Sequence, residues 1–297
     1  MNKLFLINKL AVGVLMVLTV VLAVDHLNLA WDIDDRPQTY YANPFAKLNL
    51  TAKAAVLYDP EKNEIIYAKN AYQPLPLASI TKLMTALVAS DLVGNEAIVA
   101  VSAETLKTEG DSGLLRDEIW SLKKLIDFTL VSSSNDGAAA LAAVASTGDF
   151  VNQMNKEAVT LGLTATTFTN PTGLDLTLGT GVNQGSALDV ARLMSYLLKT
   201  KPELLADTGE QQISVASENN LNHIAVNTNT LVGHLPGLFA SKTGFTDLAG
   251  GNLVVAVDIG LNQPVIAVVL GSTEEGRFTD IEALIATARR DNYLIKR

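Results

Sequence analysis

Three short stretches of this 297-residue chain carry side chains that can do chemistry together. In the first, Ala78-Ser79-Ile80-Thr81-Lys82, a hydroxyl and an amine stand three residues apart where a segment with helically spaced Leu83, Met84 and Leu87 begins. On a helix that spacing puts Ser79 and Lys82 on one face, about 5 to 6 Å apart at Cβ. A serine hydroxyl is a weak nucleophile until a neighbouring base takes its proton. Lysine serves as that base only where burial or a second cation drives its pKa down, and the apolar neighbours supply burial. The second stretch is Val131-Ser132-Ser133-Ser134-Asn135-Asp136, between two helical segments. Its turn offers Ser133 to shuttle a proton and Asn135 to hold a substrate amide, and three serines exceed what one helix cap needs. The third, Ser241-Lys242-Thr243-Gly244, ends a strand that starts at Leu238. It offers an ammonium, a hydroxyl and a glycine that permits close backbone approach. Such a strand suits an extended peptide whose terminal carboxylate meets Lys242 and Thr243. Taken singly, each stretch also fits an ordinary helix cap, solvated lysine or strand end.

These stretches need a scaffold that brings them into one cleft. Ala54 to Tyr58 and Ile65 to Lys69, separated by Asp-Pro-Glu-Lys-Asn-Glu, read as a β-hairpin. From about Ser79 to Leu205 the apolar spacing turns helical, as at Leu83 and Leu87 or Leu122, Leu125, Ile126 and Leu130. Strands return at Leu238–Lys242, Leu253–Asp258 and Pro264–Leu270, and an amphipathic stretch from Phe278 to Tyr293 reads as a last helix. Strands at both ends with helices between predict an α/β (α+β) fold in which the two ends share one sheet and the helices pack on it.

Composition narrows the chemistry. A net charge of −9 excludes nucleic acid as the expected partner, because phosphate binding needs clustered Lys and Arg. The absence of cysteine excludes disulfides, thiolate nucleophiles and Cys-ligated zinc, and three histidines do not suggest a metal centre. The hydrophobic content of 48% is enough for a sizeable core.

The N-terminus carries Lys3 and Lys9 and then an uncharged run from Leu10 to Val24, the pattern of a signal sequence or an N-terminal membrane anchor over residues 1–24. Val21-Leu22-Ala23 is an acceptable cleavage site, yet from Leu4 the stretch reaches the roughly 20 residues of a spanning helix, which favours an uncleaved anchor. Residues 25–50, polar and containing Asp-Asp-Arg-Pro, read as a tether, and residues 51–297 as the folded domain. That domain is expected at the extracytoplasmic face of the membrane, or in the periplasm or wall if the signal is cleaved.

In order, Ser-x-x-Lys, Ser-x-Asn and Lys-Thr-Gly match the signature set of penicillin-binding proteins and class A β-lactamases. The surrounding residues are closer to one branch. Ala-Ser-Ile-Thr-Lys-Leu-Met-Thr-Ala, Ser-Ser-Asn-Asp, Asn170-Pro171-Thr172-Gly173-Leu174-Asp175 and Lys-Thr-Gly-Phe-Thr-Asp-Leu-Ala-Gly-Gly-Asn resemble the D-alanyl-D-alanine carboxypeptidases among low-molecular-weight penicillin-binding proteins. The resemblance spans roughly Ala54 to Tyr293. It implies a five-stranded antiparallel sheet with a helical subdomain, and a serine peptidase that removes the terminal D-alanine of peptidoglycan stem pentapeptides. It implies that Ser79 forms the acyl-enzyme, Lys82 is the base, Ser133 relays the proton and Asn135 binds the substrate amide. Lys242 and Thr243, with Gly244 beside them, would hold the carboxylate, and the N–H groups of Ser79 and Phe245 would form an oxyanion hole. It implies no cofactor, and β-lactam antibiotics as covalent inhibitors.

The resemblance has three departures. Thr172 stands where many members have histidine. The stretch Gly271-Ser272-Thr273 lacks the arginine that some members use for the carboxylate, leaving Arg277 as the nearest cation. The chain also ends soon after the last helix, so membrane attachment is expected from the N-terminal segment. A D,D-endopeptidase would use the same residues. A class A β-lactamase needs a deacylating carboxylate that Asn-Pro-Thr-Gly-Leu-Asp lacks. An inactive wall-binding protein should have lost a catalytic side chain, and a Ser-His-Asp hydrolase is disfavoured by the missing Gly-x-Ser-x-Gly.

Overall fold

The computed structural model describes residues 43–145, 149–175, 182–260 and 262–290. The N-terminal membrane segment expected over 1–24 lies outside these residues. Among the described residues no helix is long and apolar enough to cross a membrane. The tether expected over 25–50 is shorter than its last residues suggested, because Pro44–Lys47 forms a 3-10 turn and Phe45 and Leu50 are buried in the core. Phe45 stacks against Tyr67, its ring centroid 5.2 Å away, so this part of the chain is packed rather than extended.

β1 (Ala54–Asp59) and β2 (Glu64–Lys69) form the predicted hairpin. The Asp59 carboxylate accepts the Glu61 and Lys62 amides and Asn63 takes a positive φ, which closes the turn locally. The short β3 (Leu75–Pro76) then leads through a 3-10 turn, Ala78–Thr81, into α1 (Lys82–Val93). Next come β4 (Ile98–Ala100), β5 (Ile119–Ser121), α2 (Leu122–Ser132), α3 (Asn135–Ala142) and α4 (Phe150–Thr160). After β6 (Gln184–Gly185), which pairs with β3, α5 (Ala187–Thr200) closes the helical block. A hairpin of β7 (Gln212–Ala216) and β8 (Asn222–Val226) follows, then β9 (Leu238–Thr246), β10 (Gly250–Asp258), β11 (Pro264–Ser272) and α6 (Gly276–Arg290).

The main sheet has the order β2-β1-β11-β10-β9, every pair antiparallel, so both ends of the folded chain share it as predicted. Strand side chains alternate between faces. Val56, Val254, Ala256, Ile266 and Val268 face the helical block and meet Leu83, Met84 and Leu87 of α1. Leu57, Leu253, Val255, Val265 and Ala267 face the other way onto Phe278, Ile281, Leu284 and Ile285 of α6. Both faces are therefore covered, which explains why β10 and β11 read as continuous apolar runs. Each fully buried side chain of this kind stabilises by roughly 1.5–3 kcal/mol.

Several boundaries differ from the sequence reading, among them β10, which starts at Gly250 rather than Leu253, and β11, which runs to Ser272 rather than Leu270. β9 continues past Lys242 to Thr246, because Gly244, Phe245 and Thr246 pair with Asn252, Gly251 and Gly250 of β10. Lys242 and Thr243 thus lie inside a strand, held by ladder bonds on one side. The last helix begins at Gly276 and is described to Arg290, so the predicted extension to Tyr293 falls outside the described residues.

Candidate active site

Ser79 lies on the 3-10 turn between β3 and α1, and Lys82 is the first residue of α1. In a 3-10 turn the side chains at i and i+3 eclipse, so this geometry aligns the pair more closely than the α-helix expected from spacing. Lys82 is fully buried among the α1 residues that pack on the sheet. Its Nζ stands 2.7 Å from each of three oxygens: Ser79 Oγ, Asn135 Oδ1 and the carbonyl of Thr172. None of the three is a carboxylate. Burial, and then the positive charge of Lys242, hold the Lys82 amine well below the usual lysine pKa.

A neutral amine has two N–H bonds and one lone pair, which matches this set of neighbours. Two carbonyl oxygens accept the N–H bonds, and the lone pair is left for the Ser79 hydroxyl to donate into. The Thr172 carbonyl is a site group that sequence reasoning did not assign, since it weighed only the side chain at that position. Asn-Pro-x-Gly is a turn signature, and a turn is what can aim a backbone carbonyl at a neighbour.

The three consecutive serines divide their work. Ser132 Oγ donates back to the Phe128 carbonyl at 2.6 Å, and Ser134 caps α3 by accepting the Gly137 amide at 2.8 Å. Ser133 has a left-handed backbone (φ 61°), which ends α2. Ser133 Oγ accepts a 2.9 Å bond from Lys242 Nζ. Asn135 spans the cleft, its Oδ1 on Lys82 and its Nδ2 donating to the Glu109 carbonyl at 2.8 Å.

Lys242 is buried on β9 and also donates to the Thr243 carbonyl at 3.0 Å. Burial, and then the nearby Arg277 guanidinium, lower its pKa from 10.5 to about 7. Thr243 Oγ1 shares a short hydrogen bond with Thr228 Oγ1, from the segment after β8. Gly244 lies so close to the nucleophile turn that a Cβ there would stand 2.8 Å from the Leu77 carbonyl and 3.1 Å from the Ser79 amide nitrogen. Phe245, the next residue of β9, is 42% exposed. Arg277, at the start of α6, donates to the Gly244 carbonyl at 3.0 Å and rests 4.7 Å from the Phe278 ring centroid. Among the described residues its Nε has no hydrogen-bond partner. Arg277, the nearest cation to Gly271-Ser272-Thr273 in sequence, is thus buried against β9.

The structure therefore gathers Ser79, Lys82, Ser133, Asn135, Lys242, Thr243 and Gly244 around one cleft, drawn from a helix start, an interhelical turn and a sheet edge. The arrangement provides a buried amine on a hydroxyl, a second amine on a second hydroxyl, and a strand edge for an extended chain.

Known proteins resemble this chain in sequence and in fold. The D-alanyl-D-alanine carboxypeptidase DacF of Bacillus subtilis is 32% identical over 230 residues, covering 75% of this chain and 58% of DacF. A D-alanyl-D-alanine endopeptidase of Pseudomonas aeruginosa is 32% identical over 245 residues, covering 77% of this chain and 74% of that protein. Penicillin-binding protein D2 of Listeria monocytogenes, solved in an ampicillin-bound form, superposes with a TM-score of 0.71 at 32% identity, over 81% of this chain and 98% of that one. The sequence pattern of the D-alanyl-D-alanine carboxypeptidases matches residues 40–274, and the chain belongs to that family.

Proposed function

We propose that the protein is a serine-type D-Ala-D-Ala carboxypeptidase that removes the terminal D-alanine of peptidoglycan stem peptides. The observation that carries this reading is the 2.7 Å contact between the buried, depressed-pKa amine of Lys82 and Ser79 Oγ. Lys82 takes the Ser79 proton as Oγ attacks the carbonyl carbon of the penultimate residue. The developing oxyanion meets the Ser79 and Phe245 N–H groups, which act where charge appears only in the transition state. The C–N bond then breaks, Ser133 gives its proton to the leaving amine and takes in exchange the one that Lys82 received, which leaves Lys82 neutral again, and D-alanine departs. Water hydrolyses the ester and returns the proton to Ser79. Lys242 and Thr243 bind the terminal carboxylate, with the Arg277 charge behind them, and Asn135 orients Lys82 and the substrate amide.

A β-lactam carries the same carboxylate and an activated amide, so it acylates Ser79. The Asn170–Asp175 turn presents no glutamate to activate a deacylating water, so the adduct is released slowly. A substrate in the wall requires the domain outside the cytoplasmic membrane, in keeping with the N-terminal apolar run. The named endopeptidase relative supports a second activity of the same residues on cross-linked peptides. Incubating the full-length chain with a D-Ala-D-Ala pentapeptide and with a cross-linked dimer, and identifying products by mass, separates these activities. Failure to release D-alanine from the pentapeptide overturns the main reading.

A further inference from the structure

We propose that Asn183 is a positioning residue of the acylation step, the first link in a relay of carboxamides that fixes the Thr172 carbonyl on Lys82. This rests on the carboxypeptidase reading and adds a residue outside the three motifs. Asn183 is buried and stands just before β6. Its Oδ1 accepts from Thr169 N (2.6 Å), Thr169 Oγ1 (3.0 Å) and Asn170 N (3.1 Å). Its Nδ2 donates to Thr81 Oγ1 (2.9 Å) and to the Asn170 carbonyl (2.8 Å), and its own carbonyl accepts Leu77 N (2.9 Å). One side chain therefore ties the turn that carries Ser79 to the turn that carries Thr172.

Asn170 continues the relay. Its Oδ1 accepts Thr172 N (3.0 Å), Thr172 Oγ1 (2.9 Å) and Gly173 N (2.7 Å), which fixes the peptide whose carbonyl meets Lys82. A carboxamide is required at position 183 because both ends are used, three bonds into the oxygen and two out of the nitrogen. The substitution Asn183→Asp keeps the acceptor and loses both donated bonds, to the Thr81 hydroxyl and to the Asn170 carbonyl. The Lys82 lone pair is aimed at Ser79 only while both of its N–H bonds have fixed acceptors, so slack in this relay displaces the base from the hydroxyl. Misplacement of a reacting group by about 1 Å is worth on the order of a hundredfold in rate.

Asn155 provides the control. It holds the same loop from another side, its Nδ2 bonded to the Phe168 and Val151 carbonyls and its Oδ1 to Phe168 N, away from Thr81 and Asn170. The experiment uses the full-length chain and a fluorescent penicillin, separating the affinity of the first complex from the acylation rate constant, alongside melting temperatures. Asn183→Asp and Thr81→Val are expected to slow acylation about tenfold to a hundredfold with little change in affinity. Asn155→Ala is expected to lower the melting temperature and acylate at the wild-type rate. Thr81→Val introduces no charge and keeps the test open should Asn183→Asp fail to fold. Wild-type acylation in folded Asn183→Asp or Thr81→Val, a loss confined to affinity, or an equal loss in Asn155→Ala overturns the proposal. A wild-type chain that takes no label at Ser79 overturns the carboxypeptidase reading instead.

Discussion

Gly173 passes so close to Ala78 that a Cβ on it would stand 2.0 Å from the Ala78 carbonyl oxygen and 3.0 Å from the Ser79 amide nitrogen. Both residues have a positive φ, 84° at Gly173 and 47° at Ala78, the latter unusual for a residue with a side chain. The Ala78 conformation turns its carbonyl toward the Asn170–Gly173 turn, and only glycine lets that turn reach Lys82. Gly173→Ala must therefore move backbone, either at the nucleophile or at the Thr172 carbonyl. We expect acylation by penicillin to fall on the order of a hundredfold, together with a lower melting temperature. Normal acylation kinetics in this variant would show that the close approach has no bearing on the site.

The two buried lysines set opposite limbs of the pH–rate profile. Lys82 must be neutral to act as base, so kcat/KM falls on the acid side as it takes up a proton. Lys242 must be charged to hold a carboxylate, so kcat/KM also falls as pH rises through about 7 in the free enzyme. Because the Arg277 charge is one cause of the lowered Lys242 pKa, Arg277→Gln moves the alkaline limb to higher pH while reducing the maximum. Steady-state rates on a D-Ala-D-Ala peptide between about pH 5 and 10 check this. An alkaline limb that stays in place would assign that ionisation to another group.

The same group makes a prediction about stability. Its pKa is about 7 folded and 10.5 when free of the fold, so between those values the unfolded state binds more protons and stability rises with pH. Near and below pH 7 the desolvation of Lys242 opposes folding in full. Lys242→Met is accordingly expected to melt higher than wild type at about pH 6 to 7, the difference shrinking toward about pH 10, while losing carboxylate binding. A variant that melts lower at the acid end would mean that Lys242 supports the fold through its bonds to Ser133 and Thr243.

Much of this site was legible because its chemistry is local. The Ser79–Lys82 pairing follows from a three-residue spacing, and the surplus of serines at 132–134 marked the turn that frees Ser133. The shared sheet followed from strands at both ends of the chain. What escaped was made of backbone and long-range contact. The Thr172 carbonyl has no residue-type signal, and the pairing that carries β9 through Thr246 depends on two glycines of a different strand. Arg277 was legible as the nearest cation, whereas its bond to the Gly244 carbonyl was not, since only the packing of α6 decides it. The packing of Phe45 was hidden because the apolar residues around it, Phe45, Leu48 and Leu50, are too few to set a period.

Asp280 shows how the α6 face of the sheet is tied to the start of the fold. From α6 its Oδ1 accepts the Thr51 amide at 2.9 Å, and its Oδ2 accepts the Ala52 amide at 2.8 Å and the Ser272 hydroxyl at 2.7 Å. The carboxylate thus joins the residues leading into β1 to the end of β11, with Ala52 buried beside it. Replacing it with alanine removes three bonds to a charged acceptor and leaves a buried amide without a partner. Bonds to charged groups are worth about 1.5–3 kcal/mol each and are not additive, so we expect Asp280→Ala to lose about 3 kcal/mol in urea unfolding near neutral pH. Asp280→Asn keeps one acceptor oxygen and should lose less. Penicillin acylation of the folded fraction should remain near wild type, since Asp280 touches none of the groups around Ser79. A loss under about 1 kcal/mol in Asp280→Ala would mean that water replaces the carboxylate at Thr51 and Ala52.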